Sequence, residues 1–261
     1  MSAYNLLEAF IEARLAELTT HINQGHLHFA DLPDRVQKQA TRNLLGVANA
    51  RARRIPDADL RGFVQAVGES LSAVNGAINL SSLTWMWSGS NMGASDYAAV
   101  LKSFHVESPW TSTAALSARI GASATDPQSE LEAFAQERHR AAHDSTHQVS
   151  NLSIGLAIDR LVTFSITLDS FASVGAAALR RADAAFLGDK DWTTSVIGVR
   201  RVKQRAADWA EYTENGTTAF RVGSDRHTVT MAAAQRCSDQ DVLVVTDSTG
   251  QIIDWSVPAV G

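Results

Sequence analysis

Through the first two thirds of the chain, apolar residues recur three and four positions apart, the spacing of one buried helix face. Leu6, Leu7, Phe10, Ile11, Leu15 and Leu18 mark a helix from about Tyr4 to Ile22, with Glu8, Glu12, Arg14 and Glu17 between them and Gly25 closing it. Leu32-Pro33-Asp34 opens a second helix that runs to about Arg54, with Pro33 in the first turn, where its missing N–H does no harm. Pro56 breaks that helix. Asp57 or Asp59 caps a third, from about Leu60 to Val74, which Asn75-Gly76 ends. Ser95 caps a short helix through Tyr97, Val100, Leu101 and Phe104. Residues 109–125 are mostly small and polar, and the pattern assigns them nothing firm. Asp126-Pro127 then pairs an N-cap with proline at the first helical position, opening a helix that carries Leu131, Phe134 and Ala135. Asp144-Ser145-Thr146 offers a cap for a long helix to about Ala182, marked by Leu152, Leu156, Leu161, Phe164, Leu168 and Phe171.

Near Gly188 the pattern changes. Thr193 to Val199 is β-rich, and Thr217 to Val222, His227 to Met231, Val242 to Thr246 and Ile252 to Trp255 read as short strands. Asn215-Gly216 and Ser248-Thr249-Gly250 are turn signals, and Arg201 to Tyr212 reads as a short helix. The expected fold is mainly α: a helical domain over residues 1–187, then a small β-rich C-terminal domain over 188–261.

Composition narrows the possibilities. With 261 residues, 45% hydrophobic and 20% charged, the chain is large enough to bury a substantial core. A net charge of -5 argues against a protein that coats nucleic acid non-specifically, yet leaves room for a local basic patch. Two runs qualify: Arg51-Ala52-Arg53-Arg54, and Arg200-Arg201-Val202-Lys203-Gln204-Arg205. Each reads either as a helix end or solvated face, or as a set of phosphate contacts. The single cysteine, Cys237, excludes an intramolecular disulfide and a cysteine-rich metal site. It has no evident base beside it in sequence, which favours an inert thiol. His26 and His28 read as surface loop residues. Trp85 and Trp87 either stack a base or plug the end of a bundle, and the second reading is preferred. The N-terminus lacks a basic start, and the apolar stretch from Leu152 to Leu179 is interrupted by Asp159, Arg160 and Asp169. A cytoplasmic protein with no membrane span is therefore expected.

One stretch resists helix-building rules: Glu137-Arg138-His139-Arg140-Ala141-Ala142-His143-Asp144. At about 100° per residue, Leu131, Phe134, Ala135, Arg138 and Ala142 share one stripe, so Arg138 intrudes on an apolar face and needs a partner or a ligand. His139 and His143 lie beside it, one turn apart. Three chemistries fit. A histidine and an arginine can cleave RNA without a metal, moving protons and stabilising phosphorane charge. His139, His143 and His147 could align on one helix as ligands, but no carboxylate ligand is indicated, so no metal or other cofactor is assigned. The third possibility is structural, with Arg138 paired to an acid and the histidines satisfying polar groups.

Arg138-His139-Arg140-Ala141-Ala142-His143 resembles the R-x(4–6)-H signature of HEPN domains. The context is similar too: a helical bundle with the motif late in it and a long helix after. The first helix followed by Leu32-Pro33, and the Ser90-Asn91-Met92 loop before a short helix ending near Phe104, resemble HEPN proteins encoded near RNA-ligase and other RNA-repair genes. The likeness covers about Leu6 to Ala182. It implies a metal-independent endoribonuclease of bacterial defence or toxin type, with RNA as substrate and a cognate antitoxin or regulator as a partner. It implies a homodimer in which two motifs form one composite site, the apolar stripe facing the second subunit. Arg138 and His143 would then be catalytic, and His139 would orient the site or the RNA. Where many members carry an acid, three residues before the arginine, this chain has Ala135. The alternative within the same resemblance is an inactive module that binds RNA, a nucleotide or a partner protein.

Overall fold

The computed structural model describes residues 3–122, 124–143 and 151–258. Helix α1 (Ala3–Asn23) is the first half of the main core. Its Leu7, Ile11, Leu15, Leu18 and Ile22 are wholly buried, at the three- and four-residue spacing of one stripe. α2 (Asp34–Lys38) and α3 (Leu44–Ala52) form the expected second helix, but one π-helical turn, Gln39–Asn43, interrupts it. After that turn the Asn43 amide donates to the carbonyls of Thr84 and Met86, both at 3.0 Å, tying the helix to the tryptophan loop. α4 (Asp57–Ser72) lies on the surface with no fully buried residue, half-covering Phe63, Val67 and Leu71.

Then come α5 (Ala94–Ser103), α6 (Pro109–Ile120), α7 (Pro127–His143), α8 (Asn151–Arg180) and the short α9 (Ala184–Leu187). α6 occupies the stretch that sequence left unassigned. It buries Leu116 and Ile120 but also Ser112, Thr113 and Ser117, so its inner face carries little hydrophobic signal. Proline opens it at Pro109, and Gly121, at φ 83°, closes it in the left-handed region where a Cβ is disfavoured. Trp85 and Trp87 are buried, as the plug reading expected; Trp85 stacks on Phe104 at 4.7 Å and donates its indole N–H to Thr19 Oγ1 at 3.0 Å.

α8 packs along α1. It is also the one helix among the described residues long and apolar enough to cross a bilayer, but 89% of that apolar window is buried inside the fold. Its buried Asp169 explains the polar interruption: Oδ1 accepts from Arg14 Nε at 2.6 Å, and Oδ2 from the Trp255 indole at 3.0 Å. Burial works against the charge on Arg14, and Asp169 with Glu17 outweighs it, so the Arg14 pKa is raised. Gly175 on α8 lets Phe104 approach closely; a Cβ there would lie 2.8 Å from the ring.

The sheet comprises β1 (Gly198–Gln204), β2 (Trp209–Thr213), β3 (Arg221–Gly223), β4 (Asp241–Thr246) and β5 (Ile252–Ser256), in the order β3-β2-β1-β4-β5. β1 and β4 are parallel, and α10 (Arg226–Ala234) lies in the crossover between them; the other pairs are antiparallel. Two expectations are corrected. Arg201 to Tyr212 is not a helix but a hairpin, whose turn Arg205 and Asp208 clamp at 2.5 Å. His227 to Met231 is not a strand but part of α10. The β-branched Thr228-Val229-Thr230 misled, while Asp225 caps the helix by accepting the Thr228 N–H at 2.7 Å. β4 is covered on both faces: Val242 and Val244 join the helical core, and Leu243 and Val245 pack under α10 with Val202, Val229 and Ala233. The fold is thus a mainly helical bundle followed by a smaller sheet whose inner face continues the helical core.

Candidate functional site

The motif occupies the last two turns of α7. The stripe deduced from the sequence exists: Leu131 and Phe134 are buried, and Ala135 and Arg138 are half-buried. Its cover differs from the expectation of a second subunit. The start of α1 in the same chain lies over it. Tyr4 meets Phe134 edge to face at 5.1 Å, and one turn further on Arg138 Nε donates to Asn5 Oδ1 at 2.9 Å. The first turns of α1 also fasten the loop beside them. The Tyr4 hydroxyl donates to the Met92 carbonyl at 2.6 Å, and Glu8 Oε1 accepts the Met92 N–H at 2.6 Å.

Charges near Arg138 respond to it. Burial raises the Glu8 pKa, and the Met92 N–H and the Arg138 cation offset part of that. Burial likewise raises the Tyr4 phenol, with Glu8 and Asp96 adding and Arg138 opposing. Arg138 is therefore oriented by a neutral amide, with a half-buried carboxyl nearby. Sequence reasoning looked for an acid on α7 and missed Asn5; the only available signal was a polar residue beside Tyr4 at the start of an amphipathic helix. Glu137, the acid next to Arg138 in sequence, turns the other way, to Arg160 of α8 at 3.8 Å.

His139 and His143 are exposed, with ring centroids 4.5 Å apart. Among the described residues no hydrogen bond joins either ring to Arg138. The fold thus brings the two histidines together and holds Arg138 on the neighbouring face. Asp144, the Asp144-Ser145-Thr146 cap and His147 lie outside the described residues, and with them the three-histidine alignment. Among the described residues no group of three or more His, Cys, Asp or Glu is placed to hold a metal ion.

The other candidates resolve into structure. In the basic run of β1, Arg200 pairs with the buried Glu211 at 2.8 Å, Arg201 donates to the Glu214 carbonyl at 2.6 Å, and Lys203 sits over the Tyr212 ring. Those cations fasten the sheet and its junction with α6, where Arg119 holds Glu214 through two bonds at 2.6 and 2.8 Å. Burial pushes the Cys237 thiol up to about 11, so it is a poor nucleophile. His26 and His28 are exposed.

Two clefts matter for placement. The larger, about 680 Å³, lies between α7, α8 and the turn before β5; it is lined by Glu130, Asp159, Arg160 and Thr249 and touches none of the three motif residues. Its one arginine is held by Glu137, which leaves Glu130 and Asp159 without a cation among the described lining residues to balance them for an incoming phosphate. The second, about 520 Å³, includes Asn5, the residue that holds Arg138. Compared with known proteins, the chain matches no family model, no curated protein and no solved structure.

Proposed function

We propose that the chain is a metal-independent endoribonuclease of HEPN type, acting in the cytoplasm as a homodimer whose two motifs share one RNA site. The observation that carries this reading is the pairing, on one helix end, of an oriented half-buried arginine with two exposed histidines in contact. An arginine held by a neutral amide keeps its charge for a phosphate, and an exposed imidazole offers one nitrogen to accept a proton and one to donate it. In the reaction, the 2′-oxygen attacks the adjacent phosphorus as its proton passes to a base. The bond from phosphorus to the 5′-oxygen breaks, and that oxygen takes up a proton. The products are a 2′,3′-cyclic phosphate and a 5′-hydroxyl. His143 handles the protons, Arg138 stabilises the phosphorane, and His139 orients the substrate. A defence or toxin role, with an antitoxin or regulator as partner, follows from the same resemblance.

A second reading is a non-catalytic module of the same type that binds RNA, a nucleotide or a protein. It is favoured by the absence, among the described residues, of a hydrogen bond between Arg138 and either histidine. Labelled RNA incubated in EDTA with wild type, Arg138→Ala and His143→Ala separates the two. Cleavage by wild type alone supports the enzyme, and equal trace cleavage by all three sinks it. Sedimentation of an active chain as a strict monomer would refute the shared site.

A further inference from the structure

The 520 Å³ cleft has a use that the cleavage step does not assign to it. α1, the end of α3, α4 and the 86–93 loop wall it in, and its volume falls within the range of small-ligand sites. Its chemistry changes from one end to the other. Asn5 and Glu8 stand at the motif end; Glu12, bonded to Arg51 at 2.6 Å, stands further along α1, about 10 Å from Asn5 and about 6 Å from Glu8 by helical rise. Arg54 joins Arg51 at that far end, where it donates to the Gly89 carbonyl at 3.3 Å. Phe63 and Trp87 give it flat apolar walls. Glu12 neutralises Arg51, whereas no ion pair among the described residues engages Arg54. The far end therefore carries about one uncompensated positive charge.

A ligand fitting this cleft presents a flat apolar body to Phe63 and Trp87, donates a hydrogen bond at the motif end and carries one anionic group at the far end. We propose that the cleft binds one nucleoside monophosphate unit, its base between Phe63 and Trp87, the base's amino group on Glu8 and its phosphate on Arg54. Base stacking on aromatic side chains and charge-assisted phosphate bonds supply the affinity. The unit comes either as a free mononucleotide or as one nucleotide of an RNA strand. The second source rests on the ribonuclease reading: Asn5 both lines the cleft and holds Arg138, so a strand seated here would run its next phosphate towards the motif.

Calorimetric titration of the full chain tests this with AMP, CMP, GMP, UMP and adenosine, and with a 2′-O-methylated RNA hexamer that cannot be cleaved. AMP, CMP and GMP should bind at least about tenfold more tightly than UMP, which lacks the amino group. Arg54→Glu should weaken AMP about tenfold and leave adenosine unchanged; Phe63→Ala should weaken both. Both positions are at least partly exposed, and equal melting temperatures would show that the variants fold. Binding of the hexamer alone, with the same dependence on Arg54 and Phe63, assigns the cleft to a strand; binding of AMP assigns it to the free nucleotide. No binding of any probe at millimolar concentration overturns the proposal, as does binding that both variants leave intact. A chain that binds AMP through Arg54 yet cuts no RNA refutes the ribonuclease and keeps the cleft. One that cuts RNA while both variants bind every probe like wild type overturns the cleft alone.

Discussion

Asp169 is where α1, α8 and β5 meet, and its removal tests how the sheet is fastened to the helices. The carboxylate is buried and accepts from Arg14 Nε at 2.6 Å, Ser173 Oγ at 2.9 Å and the Trp255 indole at 3.0 Å. Asp169→Ala leaves a largely covered guanidinium, 15% exposed, whose remaining ion-pair partner Glu17 is 63% exposed and screened by water, and whose other hydrogen bond goes to the neutral Ser173 hydroxyl at 3.1 Å. Removing one member of a buried pair costs about 3–5 kcal/mol, mostly the penalty of the charge left behind. The orphaned indole N–H pushes the value towards the upper end. For a chain of this size that corresponds to a melting temperature lower by roughly 6–20 °C. Arg14→Met combined with Asp169→Leu removes both charges and should cost only about 1–2 kcal/mol, from the unpaired indole and serine. Urea unfolding of wild type, Arg14→Met, Asp169→Leu and the double variant closes the double-mutant cycle, with Asp169→Ala measured beside it. A loss below about 1 kcal/mol in Asp169→Ala, or a double variant as costly as the two single ones summed, would refute the reasoning.

Four further outcomes follow. His105 is fully buried at φ 60°, with both ring nitrogens lacking a hydrogen bond; burial and Arg35 lower its pKa, while Asp189, at 3.4 Å, and Asp191 oppose them. The unfolded chain therefore binds the proton more readily, so stability should fall as pH drops below about 6.5, by at most about 1.4 kcal/mol per pH unit, and His105→Asn should flatten that slope in urea titrations. Gly175→Ala places a methyl 2.8 Å from a Phe104 ring stacked on Trp85, and should cost about 1–3 kcal/mol by chemical denaturation. On the ribonuclease reading, Asn5→Leu should reduce RNA cleavage as far as Arg138→Ala does, with the melting temperature checked alongside; full activity would show that the amide does not position the guanidinium. Cys237 should resist a thiol reagent at pH 8 in the native chain and react at once in guanidinium, and equal rates would contradict its burial.

Much of the fold was legible because long amphipathic helices announce themselves. α1 and α8 carry their core stripes in the sequence, and β4 and β5 are apolar runs between turn signals. The failures each have a cause. α6 hides behind Ser112, Thr113 and Ser117, which pack well but carry no hydrophobic period. The π turn at Gln39–Asn43 depends on what Asn43 finds in a loop about forty residues later. α10 was misread because three β-branched residues outweighed a capping aspartate. Asp169 looked like a flaw in an apolar helix until Arg14 and Trp255, 155 and 86 residues away, supplied its hydrogen bonds.

The candidate site divides in the same way. The helix wheel correctly demanded a partner for Arg138, because that demand comes from α7 alone. It could not name the partner, because Asn5 lies 133 residues upstream. The family pattern puts an acid on the arginine's own helix, where this chain has Ala135. Asn5 meets a different requirement: as a neutral amide it fixes the direction of the guanidinium and brings no charge of its own. A carboxylate at position 135 would anchor Arg138 more firmly and offer a phosphate less. On the ribonuclease reading, the residue that looks like a departure from the motif is therefore compatible with activity, and the burden of positioning passes from α7 to the first turn of α1.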